Sequence, residues 1–224
     1  MLLKKLTSSY LICVISVISI IYSMLSSGFI DIFIDNILFF LTMFLTRIRA
    51  VILHDSKFDK NKFNFFALTI TIYVIFSFIM YCQYFPKLEN TFLIIITIIK
   101  LFYYGWGWLS TVSILLKRTK VTGQTIAGAI TGYLFIAIIW SFLYRAFMIL
   151  HPGSLHVEAT RDYELNPMNL AMYFSLTTLT TLGFGDLVPV YKLMMVFSTF
   201  EAVIGVFYMT VVVARLVSLY ETFE

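Results

Sequence analysis

The stretch LTTLTTLGFGDLVPV, residues 176–190, decides how the rest of the chain is read. Two threonine pairs lead into Gly183 and Gly185, which flank Phe184, and Asp186 follows directly. Glycine takes mirror-image backbone conformations closed to other residues. Gly183 and Gly185 therefore allow a strand from Thr181 to Gly185 whose carbonyls all point to one side, where ordinary residues would make them alternate. Several copies of such a strand around an axis stack rings of carbonyl oxygen, and the Thr181 hydroxyl adds one more oxygen at the inner end. A cage of that kind suits a dehydrated alkali cation.

Working outward, the surroundings are those of a bilayer protein. Of the 224 residues, 60% are hydrophobic and 12% charged, against about 25% charged in an average soluble domain. Residues 6–30 and 63–86 contain no charged side chain, and about 20 apolar residues suffice to cross a membrane. The first of these runs is longer than a signal-peptide core and lacks a small-residue cleavage site, so it reads as a retained span. Six spans are expected, roughly at 7–28, 30–52, 64–85, 89–110, 124–150 and 191–219. The aromatic run YYGWGW at 103–108 reads as an interfacial belt, with LSTVSILLKRTK at 109–120 as a surface linker or as part of the span.

The net charge of +4 sets orientation here, with no need of a nucleic acid partner. Lys4 and Lys5, then Arg47, Arg49, Lys57, Lys60 and Lys62, then Lys117, Arg118 and Lys120 fall in alternate loops, which places both termini in the cytoplasm. The two cysteines, Cys13 and Cys82, lie inside apolar runs and read as small buried hydrophobes.

Residues 151–190 are too polar at first, and too short later, to span. Asn166 is a good N-cap and Pro167 suits a first helical position, so a half-helix is expected from there towards Thr180. A half-helix leaves irregular backbone at membrane depth, which is tolerated only beside protein or a water-filled path. Its C-terminal partial charge of roughly −0.5 is expected to face the cavity beneath the strand.

At this point TTLGFGD closely resembles the potassium-channel signature, usually written TVGYG. Residues 124–220 are similar to the outer helix, pore helix, selectivity filter and inner helix of tetrameric bacterial potassium channels, with GYLFIAIIWSFLYRAF and VVVARLVSLY adding to the likeness. The resemblance implies an all-α membrane protein of six transmembrane helices, with a re-entrant pore helix and filter between the last two. It divides the chain into a four-helix domain, 1–120, like a voltage-sensor domain without sensor arginines, and a pore domain, 121–224. It implies a homotetramer in the lipid bilayer giving passive, potassium-selective flux. No cofactor beyond the permeant ion, no small-molecule substrate and no nucleic acid is implied. An enzyme is disfavoured, because the intramembrane polar residues form no nucleophile–base or metal constellation. A weakly selective cation channel and a non-conducting sensor or assembly subunit remain the competing readings.

Residue by residue, the resemblance assigns the ion sites to the carbonyls of Thr181, Leu182, Gly183 and Phe184 and to the Thr181 hydroxyl. Gly205 matches an inner-helix glycine that serves either as a gating hinge or for close packing. Relatives bond a filter tyrosine to a cuff on the pore helix; here Phe184 and the cuff position Phe174 both lack a hydroxyl, so packing is expected instead. Tyr173 stands where many relatives brace the filter aspartate with tryptophan, and its hydroxyl is expected to reach Asp186. Glu201 lies four residues before Gly205, on the same helical face. It is expected either to bond Thr177 or Thr178 behind the filter or to form a cavity-facing ring. Voltage sensors carry a basic residue at every third position of the fourth span, whereas this span has Lys100 alone within the bilayer. Lys100 reads as snorkelling or paired, Arg145 as an interface anchor, and His151 and His156 as residues of a solvated outer loop.

Overall fold

A computed structural model of the chain describes residues 9–25, 37–38, 41, 45, 89–117, 119–157 and 167–221. The expected spans at 30–52 and 64–85 lie almost wholly outside the described residues, as do Asn166 and Cys82. Among the described residues, the elements with both bounds visible are, in order, α1 Ser9–Leu25, α2 Glu89–Leu116, α3 Gly123–Leu150, β1 Leu155–Val157, α4 Pro167–Leu179, β2 Leu187–Pro189 and α5 Lys192–Glu221. Among them, Leu93–Leu116, Gly123–Leu150 and Lys192–Ser218 are long and apolar enough to cross a membrane. In α1 the shorter stretch Leu11–Tyr22 is apolar.

α2 runs unbroken to Leu116, so residues 109–116 continue the span and do not form a separate surface linker. The hydroxyl that made this stretch look amphipathic is absorbed locally, since Thr111 donates to the Gly107 carbonyl at 2.9 Å. Thr111 and Leu115 are buried, while Leu109 and Leu116 are exposed, so one face continues to pack. Beyond the short connection Thr122 opens α3 with a capping box: its side chain accepts from Thr125 N–H and its own N–H donates to Thr125 Oγ1, both at 3.3 Å. This satisfies two amide donors that a helix start leaves bare.

α3 is the central element. Its Phe135, Ile138 and Phe142 meet Ile12, Ile15 and Ile20 of α1, Tyr104 of α2, and Met168 and Met172 of α4 in one apolar cluster. Tyr104 sits edge-on to Phe135 and stacked on Phe142, both with centroids 5.6 Å apart. Lys100, one turn earlier on α2, is 3% exposed and holds its ammonium 5.4 Å from the centre of the Phe142 ring. It is therefore packed against α3, not snorkelling to an interface.

The all-α expectation needs one correction. β1 and β2 pair antiparallel, with Leu155 opposite Pro189, His156 opposite Val188 and Val157 opposite Leu187. Amides of Val190 and Tyr191 extend the junction by donating to the Ser154 carbonyl at 2.9 and 3.3 Å. Three-residue strands are too short to show a period in the sequence. Pro189 fits because the pair has only two strands, so a missing N–H is tolerated at an edge. The pairing ties the loop after α3 to the chain just beyond Asp186, and His151 stacks on Tyr191 at 4.3 Å beside it.

Candidate functional site

The stretch 176–190 forms the end of α4, an irregular segment and β2. α4 begins at Pro167, which needs no N–H partner there, and ends at Leu179. Its last four carbonyls are all occupied. Leu176 O accepts from Thr180 N–H at 3.1 Å, Thr178 O from Thr181 N–H at 3.0 Å, and Thr177 O from the amides of Leu182 and Gly183 at 2.8 and 3.1 Å. The remaining one, Leu179 O, accepts from the Tyr133 hydroxyl of α3 at 3.1 Å. The carbonyls expected to face a cavity thus already have protein donors.

Beyond α4 the backbone alternates in hand. Thr181, Gly183 and Gly185 have φ of 58°, 50° and 82°, and no residue between them has positive φ. The glycines were expected to supply this freedom. Thr181 was not, although counting back by two from 185 and 183 reaches it. A β-branched residue with positive φ is a true outlier, and such outliers mark sites where surrounding structure over-determines the backbone. Here the Thr181 and Leu182 amides are held by Thr178 O and Thr177 O. No added Cβ at Gly183 or Gly185 would meet anything within 4 Å, so these glycines serve conformation and not space. Residues 180–185 lie exposed on the surface of the single chain, with Leu182 at 56% and Phe184 at 66%.

Around this segment, Tyr173 donates to Asp186 Oδ2 at 2.8 Å. The ring of Tyr173 also lies parallel to Phe184, with a 4° interplanar angle and centroids 6.4 Å apart. Phe174, the expected apolar partner of Phe184, is instead buried edge-on against Tyr144 at 4.9 Å, in a cluster with Ala171, Leu187 and Met194. Within the chain, then, packing on Phe184 comes from Tyr173.

Glu201 is fully buried. It meets neither Thr177 nor Thr178: Tyr144 of α3 donates to its Oε2 at 2.6 Å, and Ser175 of α4 lies 2.5 Å from its Oε1. The Ser175 hydroxyl also lies 2.8 Å from the Ala137 carbonyl of α3. Thr177 points its hydroxyl back to Phe174 O at 3.0 Å, and Thr178 contributes its carbonyl to Thr181. Glu201 therefore joins three helices behind the irregular segment. Tyr144 and Ser175 were not foreseen; both lie in apolar surroundings where a hydroxyl needs a partner, which was the available signal.

Gly205, one turn after Glu201, presses on the end of α4. A Cβ added there would lie 2.3 Å from Leu179 O and 3.0 Å from Leu179 Cδ1. Close approach is thus a physical requirement at this glycine. Gly132 does the same for α3, leaving a notch for the Tyr208 hydroxyl, which donates to Ala129 O at 2.8 Å. Met194, Glu201 and Gly205 form the buried stripe of α5. The opposite side, including Val196, Phe200, Val203 and Phe207, is at least 45% exposed along the helix.

No curated protein and no solved structure matches the chain. Residues 125–222, from the first turn of α3 to the end of α5, match the family model described as ion channel.

Proposed function

We propose that the chain is a potassium-selective channel that passes K⁺ passively down its gradient, as a homotetramer in the lipid bilayer, without strong voltage gating. The observation that carries this reading is the alternation of backbone hand at Thr181, Gly183 and Gly185, directly after a short helix inside an ion-channel domain. Alternating hand turns successive carbonyls to one side, and rings of such carbonyls replace the hydration shell of a potassium ion. The ion-facing groups are the carbonyls of Thr181, Leu182, Gly183 and Phe184 and the Thr181 hydroxyl; Gly185 and Asp186 close the outer end.

The lengths agree with a re-entrant segment. The 13 residues of α4 extend about 20 Å at 1.5 Å each, short of the roughly 30 Å hydrocarbon core. Its exposed continuation is stable at that depth only against protein or water. A tetramer supplies both, since neighbouring copies cover the bare apolar side of α5 and enclose an aqueous axis. In this reading six spans, of which 1–120 contribute the first four, leave both termini in the cytoplasm. No catalytic step and no cofactor besides the permeant ion is involved.

Potassium flux through the purified protein in vesicles, with sodium and barium as comparisons, tests the proposal. Potassium flux that exceeds sodium flux and is blocked by barium is expected; equal fluxes would indicate a weakly selective cation channel. Gly183→Ala is expected to abolish flux. Forcing a Cβ into the left-handed region costs roughly 1–2 kcal/mol per residue, so the alanine favours a rotated peptide with its carbonyl off the axis, in every copy. A protein that keeps its cellular role in this variant would be a non-conducting scaffold.

A further inference from the structure

We propose that Tyr133 is a positioning residue for the inner end of the filter, an assignment that rests on the channel reading above. Leu179 is the last residue of α4, two positions before Thr181, and is 1% exposed. Its carbonyl has no backbone donor, because the amides of Thr180, Thr181, Leu182 and Gly183 are all committed to Leu176, Thr178 and Thr177. The Tyr133 hydroxyl, reaching from α3 across 46 positions of sequence, is the donor that completes the helix end at 3.1 Å.

The geometry makes this bond directional as well as satisfying. Leu179 O is the oxygen of the Leu179–Thr180 peptide, so fixing it fixes the plane of that peptide and the direction in which the chain enters Thr180 and Thr181. The Tyr133 donor holds this oxygen from α3. Gly205 of α5 approaches the same oxygen so closely that a methyl group would strike it. The carbonyl is thus contacted by both α3 and α5. The next residue but one is Thr181, held at φ 58°, a region that a threonine enters only under external constraint. With the Tyr133 bond removed, the peptide is free to rotate towards a conformation threonine prefers. The Thr181 hydroxyl and carbonyl, the innermost ion ligands, then move with it.

Tyr133→Phe removes one oxygen and keeps the ring, which packs on Tyr208 at 5.8 Å. In vesicles this variant is expected to lower the ratio of potassium to sodium flux by roughly fivefold, the loss matching one hydrogen bond. Barium block should weaken in parallel, while the purified protein stays folded with its melting temperature lowered by the unpaired Leu179 carbonyl. Gly205→Ala, which pushes on the same oxygen from α5, should move both readouts in the same direction. Tyr208→Phe removes a hydroxyl from the adjacent ring, bonded to Ala129 O and not to Leu179 O, and should leave selectivity and block unchanged. An unchanged flux ratio in folded Tyr133→Phe, or an equal loss in Tyr208→Phe, would overturn the assignment of Tyr133 alone. Absence of potassium flux in the unaltered protein would overturn the channel reading and this assignment with it.

Discussion

Tyr173 makes two contacts with the irregular segment after α4, a hydrogen bond from its hydroxyl to Asp186 and a parallel ring contact with Phe184. They are separable, because Tyr173→Phe keeps the ring and deletes the bond. A hydrogen bond to a charged group contributes about 1.5–3 kcal/mol, so its loss should weaken the hold on Asp186 and speed inactivation of potassium currents by roughly tenfold or more. Currents recorded from the variant in planar bilayers check this, and unchanged inactivation would sink the bracing role. The hydroxyl of Tyr173 was legible through the resemblance, which puts it where relatives brace the filter aspartate with tryptophan. The left-handed Thr181 was not, since propensity argues against it and only the hydrogen bonds to Thr177 O and Thr178 O make it tolerable. Residues 173 and 174 are both aromatic, and within the chain the turn of about 100° between them sets Tyr173 beside Phe184 and Phe174 against Tyr144.

Between elements, the decisive group is Glu201, where α3, α4 and α5 meet through Tyr144 and Ser175. The sequence placed a carboxyl on the Gly205 face of the last helix but had no means of choosing its partners. Those depend on how α4 rotates against α3, which the apolar clusters around Phe135, Met172 and Phe174 determine. The geometry separates two roles for the carboxyl. Glu201→Gln keeps an oxygen that accepts from Tyr144 and gains an N–H₂ that donates to Ser175, so a hydrogen-bonding brace survives. Glu201→Ala leaves Tyr144 with a buried hydroxyl lacking its acceptor, at a cost of about 1–3 kcal/mol. Thermal unfolding of the purified protein in detergent should therefore show the glutamine variant close to the unaltered protein and the alanine variant clearly less stable, with faster inactivation in vesicle recordings. If both variants lost conductance equally and kept their stability, the carboxyl would be acting through its charge instead. The same three-helix junction explains why a helix start was more legible than the junction: Pro167 acts within its own turn, whereas Ser175 acts across elements.

Across the whole molecule, the described part of the leading segment does not stand apart from residues 125–222, which match the ion-channel family model. α1 packs on α3 and α4 through Ile12, Ile15 and Ile20. α2 packs on α3 through Tyr104 and Lys100. At the far end Arg215 of α5 donates to Leu116 O, the last residue of α2, at 3.2 Å, where a cation also suits the negative end of a helix dipole. Lys100 is the charge on which any voltage response of α2 would depend. Carrying one charge through the whole field is worth about 2.3 kcal/mol per 100 mV, and sensors move 3–4 per subunit. A lysine buried against α3, with its ammonium over the Phe142 ring, is fastened to that helix. Lys100→Gln should therefore leave the steepness of the current–voltage activation curve unchanged. The cation–π contact, about 0.5–2 kcal/mol depending on desolvation, should instead appear as a lower unfolding temperature. Phe142→Leu, which removes the ring and keeps an apolar side chain, should destabilise the protein by a similar amount, and adding it to Lys100→Gln should cost less than the two single effects combined. A shallower activation curve in Lys100→Gln would show that the lysine moves with voltage and would overturn its placement as a fixed seam between α2 and α3.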